Sequence, residues 1–394
     1  MKKNLMFVLI VLMGFALVAC GESDTDSLKL YNWGEYIDDE LVEAFETESG
    51  IKVKQIAFDS NEVAITQIKA GNKYDLVIPS DYAIEQLALE NLIQPINWDL
   101  ITTFDKDVDL ADGLATILAQ LNSGDDAFDL LNYAVPYFWG NVGILYDTTT
   151  VNEADLTGWD ALTNPNYEIA FYNSARDAYM IALKTIDADL NAPTVSEMTD
   201  AKAWLTAALT SQTYVITDEI FDAMLDPARY DMAVAYSGDA NYLMMENENL
   251  SFFVPEEGTN IWVDGFVVPQ GADEDKAYAF INFMMTYEHA AQNTEYVGYS
   301  TPRKDVFEEM LEAGGTYEDY AASYNVRINE NDQVYRYNST LKRQMDTEWQ
   351  QILASKGYSE EGLGIGAYLA IGIVIILVSS SAVFAVIKKR RKVI

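Results

Sequence analysis

The chain is poor in the residues that most enzymes use for chemistry. It holds one histidine and one cysteine in 394 residues. The single cysteine, Cys20, excludes an intramolecular disulfide. No G-x-S-x-G elbow, no phosphate-binding P-loop and no G-x-G-x-x-G fingerprint occurs. His289 sits in a helical-looking run, Tyr287-Glu288-His289-Ala290, and reads as a surface or partly buried side chain. Carboxylate pairs could run acid–base chemistry, but with 62 acidic residues chance pairs are expected. Asp105-x-Asp107-x-Asp109 lacks the glycine and the distal glutamate of a calcium loop and reads as a solvated turn. These absences disfavour an enzyme, and neither a cofactor nor a metal is expected.

Positive charge is scarce as well. Lys and Arg number 25 against 62 Asp and Glu, a net charge of −37. Seven of the basic residues lie in 1–19 and 388–394, which contain no acids, so the stretch between carries 18 basic against 62 acidic residues. Such a surface repels nucleic acid and attracts cations. A solubility or salt adaptation of the whole surface would explain the charge equally well.

The two ends differ from the rest. Lys2 and Lys3 precede an uncharged stretch, Asn4 to Ala19, which closes on Leu17-Val18-Ala19-Cys20-Gly21. That is the pattern of a bacterial secretory signal ending in a lipobox, so residues 1–19 are expected to be removed and Cys20 to carry a lipid. The apolar run is short for a retained membrane helix. From Gly362 to Ile387 there is no charge, and Lys388 to Lys392 are all basic. About 20 apolar residues cross a bilayer. Residues 364–387 are therefore expected to span it, with 388–394 inside and 21–361 outside.

Between the ends, strand and helix patterns alternate. Leu28–Tyr31, Lys52–Ala57 and Asp75–Ile78 read as strands. Helices are expected over Asp38–Ser49, from a capping-box-like Asp59…Glu62 to Ala70, and over Tyr82–Glu90. This order predicts a parallel sheet covered by helices. Asp99 to Asp129 is acidic and loosely helical, and Tyr133 to Tyr146 reads as an extended crossover. A second α/β unit follows, with strands at Ile169–Tyr172, Tyr214–Ile216 and Met232–Tyr236 and helices at Arg176–Ile186, Ser196–Thr210 and Glu219–Leu225. Ile261–Pro269 is extended again, and helices are expected over Asp273–Tyr287, Glu288–Val297 and Ser339–Ala354. Two α/β lobes without a long linker imply a cleft between them, a common place for a ligand.

Aromatic and acidic or hydroxyl residues recur together at strand ends and turns: Trp33 with Tyr36, Ser80 with Tyr82, Tyr236 with Asp239, Trp262 with Asp264, and Tyr299. In an open α/β sheet the carboxyl ends of strands are where ligands bind. Taken singly, each ring could equally cap a hydrophobic core. Together they suit an organic dication: each buried ammonium needs a carboxylate, and its methylene chain suits aromatic faces.

LYNWGEYI (30–37), SGIKV (49–53), SNE (60–62), YDLVIPSDY (74–82), VPYFWG (135–140), SARD (174–177), AYSGDAN (235–241), IWVDGFVVP (261–269) and VGYSTP (297–302) occur in the order seen in the spermidine/putrescine-binding subunits of bacterial polyamine ABC importers, which residues 27–356 resemble. The resemblance implies a two-lobed, type II periplasmic-binding-protein-like α/β fold with discontinuous lobes. Lobe one would be 27–133 and 265–304, and lobe two 134–264 and 305–357. It implies that Trp33, Tyr36, Tyr236 and Trp262 box a methylene chain, Asp264 pairs one ammonium and Asp177 a second. Asp239 matches an acid of putrescine-preferring relatives, while Ser80, Tyr82, Tyr299 and Tyr335 would add hydrogen bonds or wall contacts. Ser174 stands where spermidine-binding relatives carry aspartate, Tyr236 replaces a tryptophan and Gly34 a small hydroxyl residue. The choice among amines stays open. The implied protein is a monomeric receptor on the outer face of the cell membrane, handing a polyamine to the importer's permease. Another small cationic or neutral metabolite, or a tethered sensor ectodomain, is the alternative.

Overall fold

The computed structural model describes residues 27–124, 126–216, 220–225 and 227–358. The expected signal peptide, Cys20, the span 364–387 and the tail 388–394 lie outside the described residues. Among the described residues no helix is long and apolar enough to cross a membrane.

Three parallel strands form the first sheet in the order β2-β1-β3. Strand β1 (Ser27–Trp33) buries Leu28 and Leu30 completely. Helix α1 (Asp39–Ser49) follows, capped by the Asp38 carboxylate, which accepts from the Glu40 N–H at 2.9 Å. It ends at Gly50, whose φ of 74° is readily adopted only without a side chain. Its buried face, Leu41, Val42 and Phe45, is the one its spacing predicts. Strand β2 (Lys52–Phe58) pairs with all of β1. Helix α2 (Asn61–Lys69) is capped by Ser60, one residue later than expected, because the serine Oγ rather than the Asp59 carboxylate accepts from the Val63 N–H. Strand β3 is only Leu76–Val77, shorter than predicted, and leads through Pro79 and Ser80 into α3 (Asp81–Leu89). The acidic stretch beyond contains one regular helix, α4 (Asp112–Leu121).

The segment read as a crossover is the longest strand among the described residues, β4 (Val135–Asp147), buried along all 13 residues. Its second half lies in the second sheet, ordered β6-β5-β7-β4-β8. That sheet is built from β5 (Ile169–Tyr172), α5 (Ala175–Thr185), α6 (Val195–Ala208), β6 (Thr213–Ile216), α7 (Ile220–Met224), β7 (Met232–Tyr236), α8 (Ser237–Glu246) and β8 (Leu250–Phe253). Strand β8 has no counterpart in the sequence reading. The β5, β6 and β7 pairings are parallel, whereas β7 and β8 flank β4 antiparallel. The first half of β4 pairs antiparallel with β9 (Ile261–Phe266). Bridges from Val267 to Val77 and from Asp264 to Ser80 tie β9 and its continuation to the first sheet. Thus β4 and β9 carry the chain between the two sheets side by side.

Helices α9 (Glu274–Met284) and α10 (Tyr287–Val297) return to the first sheet, where Phe280 and Phe283 pack on Phe45 at 4.9 and 5.4 Å between ring centres. His289 is half-buried, stacked on Phe283, with Nδ1 2.8 Å from the Phe283 carbonyl. Helices α11 (Lys304–Leu311) and α12 (Ala321–Tyr324) follow, and α13 (Ser339–Ser355) carries the chain beyond the compact unit that ends at Glu348.

Candidate functional site

Much of the site is assembled from the carboxyl ends of strands in both sheets, and β9 and the turn after α10 supply the rest. β1 ends on Trp33; Glu35 then takes a left-handed φ of 51°, turning the chain so that Tyr36 points back inward and is buried. Ser80 and Tyr82 follow β3, and the Asn61 side chain ties them together: its amide donates to Ser80 Oγ and Tyr82 Oη, each at 3.0 Å, while its Oδ1 accepts from the Ser80 N–H. From the second sheet, β7 delivers Tyr236 and α8 delivers Asp239. Trp262 and Asp264 lie two residues apart on β9 and so share one face. Asp177 comes from the first turn of α5, and the Ser174 hydroxyl caps that helix by accepting from the Asp177 N–H at 3.3 Å.

The rings interlock. Tyr36 meets Tyr299 edge-on at 5.5 Å, Tyr299 meets Trp262 at 5.0 Å, and Trp262 meets Tyr236 at 6.2 Å. Trp33 stands off from this chain, 4.5 Å from Phe58. Two glycines make room for the rings: a Cβ on Gly238 would fall 2.2 Å from the Tyr299 ring, and one on Gly140 would fall 2.6 Å from Trp262. The acids lie among the phenols. Asp239 accepts from Tyr299 at 2.6 Å and Tyr172 at 3.1 Å, and Asp177 accepts from Tyr236 at 2.7 Å. Tyr335 turns its hydroxyl away, to the Arg176 carbonyl at 2.8 Å.

All four carboxylates here are buried, and burial pushes each toward its neutral form. Asp239 is raised to about 6, Asp264 to about 7 and Asp81 to about 8, with Asp177 raised as well. The Ser80 and Tyr36 hydroxyls favour the charged form of Asp264 only partly. Asp264 Oδ1 and the Tyr36 hydroxyl each remain without a hydrogen bond of normal geometry. They are not alone. Among the described residues, the buried side-chain polar atoms lacking a partner are Asn32 Oδ1, Trp33 Nε1, Tyr36 Oη, Asn141 Oδ1, Arg176 Nε, Trp262 Nε1 and Asp264 Oδ1. Every one belongs to a site residue or to its strand or helix neighbour. Unpaired buried polar atoms are costly.

The structure brings Tyr36, Ser80, Tyr82, Asp177, Tyr236, Asp239, Trp262, Asp264 and Tyr299 together around this wall, with Trp33 and Tyr335 at its ends. The sequence reading missed three charged residues. Asp81 lies behind Asp264, its Oδ2 accepting from the Val263 N–H at 2.9 Å. Arg176 stacks its guanidinium 3.6 Å above the Tyr82 ring, and Glu62 pairs with it at 3.7 Å. All three lie inside the matched stretches SNE, YDLVIPSDY and SARD, but their roles depend on long-range packing. Asp105 and Asp109 instead fasten their own turn, the Asp109 carboxylate accepting from the Asp105 N–H at 2.8 Å. Among the described residues no cluster suited to a metal ion occurs.

The chain is similar to known proteins over most of its length. The chain is 27% identical over 296 residues to the spermidine/putrescine-binding periplasmic protein of Salmonella typhimurium, covering 74% of this chain and 81% of that one. It is 27% identical over 319 residues to a putrescine-binding periplasmic protein of Escherichia coli, covering 75% and 84%. The substrate-binding protein of a spermidine/putrescine ABC transporter from Streptococcus pneumoniae has the same two-lobed α/β fold, with a TM-score of 0.67 and 32% identity over 84% of this chain and 99% of that one. The sequence model for bacterial extracellular solute-binding proteins matches residues 40–323. Transport receptors, not enzymes, make up this group, and the chain belongs to the bacterial extracellular solute-binding protein family.

Proposed function

We propose that the protein captures a polyamine of the putrescine/spermidine class between its two lobes and delivers it to an ABC importer. The observation that carries this reading is the wall of buried, partner-seeking carboxylates and ring N–H and O–H groups around Asp264. An anion would be repelled by the carboxylates of this wall. A protonated amine satisfies them. Asp264 pairs one ammonium, and Trp33, Tyr36, Tyr236 and Trp262 enclose the methylene chain. Asp177 receives the second ammonium, and Asp239, held by Tyr172 and Tyr299, reinforces the negative field. Ser80, Tyr82 and Tyr335 complete the wall. The lobes are 27–133 with 265–304, and 134–264 with 305–357; β4 and β9 serve as the strands that cross between them.

The same reading places the protein at the outer face of the cell membrane, held by a lipid on Cys20 after removal of 1–19 and by a helix over 364–387. Two anchors would keep the receptor near its permease and raise its effective concentration there. Mass spectrometry of the membrane-extracted protein tests the first anchor: a diacylated N-terminal Cys20 is expected, and an unmodified Met1 would refute it. Titration with putrescine, spermidine, cadaverine and spermine tests the ligand; one-to-one binding of at least one amine is expected, and no heat with any of them would overturn the assignment.

A further inference from the structure

Among the described residues, three ion pairs join elements on the side of the first sheet to elements on the side of the second, and all three have the same polarity. The acids stand on the first-sheet side: Glu62 in α2 and Glu85 in α3. The bases stand opposite. Arg176, in α5, reaches Glu62 at 3.7 Å, and Lys342, in α13, reaches the same carboxylate at 3.6 Å. Arg336 grips Glu85, with its Nη2 2.6 Å from Oε1 and its Nε 3.2 and 3.1 Å from the two oxygens, while the Tyr337 N–H adds a bond of 2.7 Å.

The bases are fixed to the second side by contacts of their own. Gln333 bridges to Asn260 and accepts from Lys184 at 2.6 Å, and Asn191 holds the Val334 carbonyl at 2.9 Å. The Tyr335 hydroxyl donates to the Arg176 carbonyl, and the Tyr179 hydroxyl holds Glu348 of α13 at 2.6 Å. Arg176 also lays its guanidinium on the Tyr82 ring, so a cation from one side stacks on an aromatic face of the other. None of these bases pairs with Asp264 or Asp239. They lie along one edge of the site, where the Arg176 charge also opposes part of the effect of burial on Asp81 and Asp177.

We propose that Arg176, Arg336 and Lys342 with Glu62 and Glu85 form a charge latch that holds the two lobes closed and sets how long a bound amine is retained. This rests on the proposed function for the ligand, but the latch itself is a property of the protein. Arg176 and Lys342 are positioning residues, because they act through closure and leave the amine to the carboxylates.

The sign of the effect separates the latch from simple electrostatics. Removing a positive charge beside a cleft that takes a dication should, by Coulomb repulsion alone, tighten binding. A latch predicts the reverse. Two measurements on the purified full chain test it: stopped-flow release of putrescine, and the distance between spin labels at Leu89→Cys in α3 and Val195→Cys in α6, in a Cys20→Ser background without ligand. Both label positions are exposed. Lys342→Gln, whose side chain is partly exposed and leaves the core untouched, is expected to speed release about threefold, and Arg176→Gln about tenfold, with association no slower. The label distance should lengthen in each variant. Release that is unchanged or slowed in both variants, with an unchanged label distance, would overturn the latch. If the parent binds no amine yet the label distance lengthens in the variants, the latch stands and the ligand assignment falls.

Discussion

Two edges of the same site treat their acids in opposite ways. At one, Glu62 and Glu85 are met by Arg176, Lys342 and Arg336, cations that the chain itself supplies from across the site. At the other, Asp264 and Asp239 lie deep among aromatic rings, have no ion pair among those described, and are pushed by burial to about 7 and 6. A chain with 62 acids and 25 bases could not pair everything. What matters is where it leaves the deficit. A buried carboxylate without a cation is costly, and on the proposed function a cation from outside meets that cost at this wall. In the proposed mechanism the paired edge closes the protein, and the unpaired edge chooses what it closes on.

The sharpest way to break this contrast is to neutralise the unpaired edge. Asp264→Asn should weaken amine binding by roughly 100-fold or more, since truncating one partner of a desolvated charge pair costs about 2–5 kcal/mol. The thermal midpoint of the ligand-free protein at pH 8 should not fall, because a buried charge has been removed. Binding as tight as in the parent would show that Asp264 is not the ammonium's partner.

Protonation gives the next largest effect. Asp239 and Asp264 have folded-state pKa values above the ordinary 3.8, so the ligand-free fold binds more protons than the unfolded chain. Their contribution to stability is full below about pH 4 and is lost as pH rises through about 6 to 7. Amine binding needs the charged carboxylates and should expel those protons. Affinity is therefore expected to rise between pH 5 and pH 8, with proton release visible as a buffer-dependent heat in calorimetry. An affinity independent of pH across that window would contradict the assignment.

A smaller effect should come from the rings. Gly238→Ala would place a methyl group against Tyr299 and force the ring away from Asp239. Overpacking of this kind costs about 1–3 kcal/mol, and both thermal stability and amine affinity should fall, the latter about tenfold. Unchanged near-ultraviolet dichroism and unchanged affinity would show that Tyr299 is not held where it acts. The mildest change is Ser174→Asp. Aspartate caps a helix as well as serine, so α5 should persist. The added acid beside Asp177 should raise the spermidine-to-putrescine affinity ratio about threefold, measured by competition.

Sequence patterning reached the parallel first sheet because β1, β2 and the helices between them carry ordinary periodicity and caps. It placed the turn after β1 and nearly all of the aromatic wall, since those residues sit at strand ends. It failed at β4. Pro136, Trp139 and Gly140 interrupt a strand that is buried on both faces, so no alternation remains to read; that hid its pairing with β7, β8 and β9. It also passed over Asp81, Glu62 and Arg176, although each stood beside or within a quoted motif. Their roles come from contacts such as Asp81 with the Val263 N–H, 182 positions away, which local spacing does not encode.

The proposal stands on the unpaired wall around Asp264 taking a protonated amine. Calorimetric titration of the purified parent and Asp264→Asn with putrescine and spermidine tests it most directly. One-to-one binding of at least one amine by the parent is expected, with its loss in the variant and the fold retained. Absence of heat with either amine in the parent, or equal binding by both proteins, would contradict it.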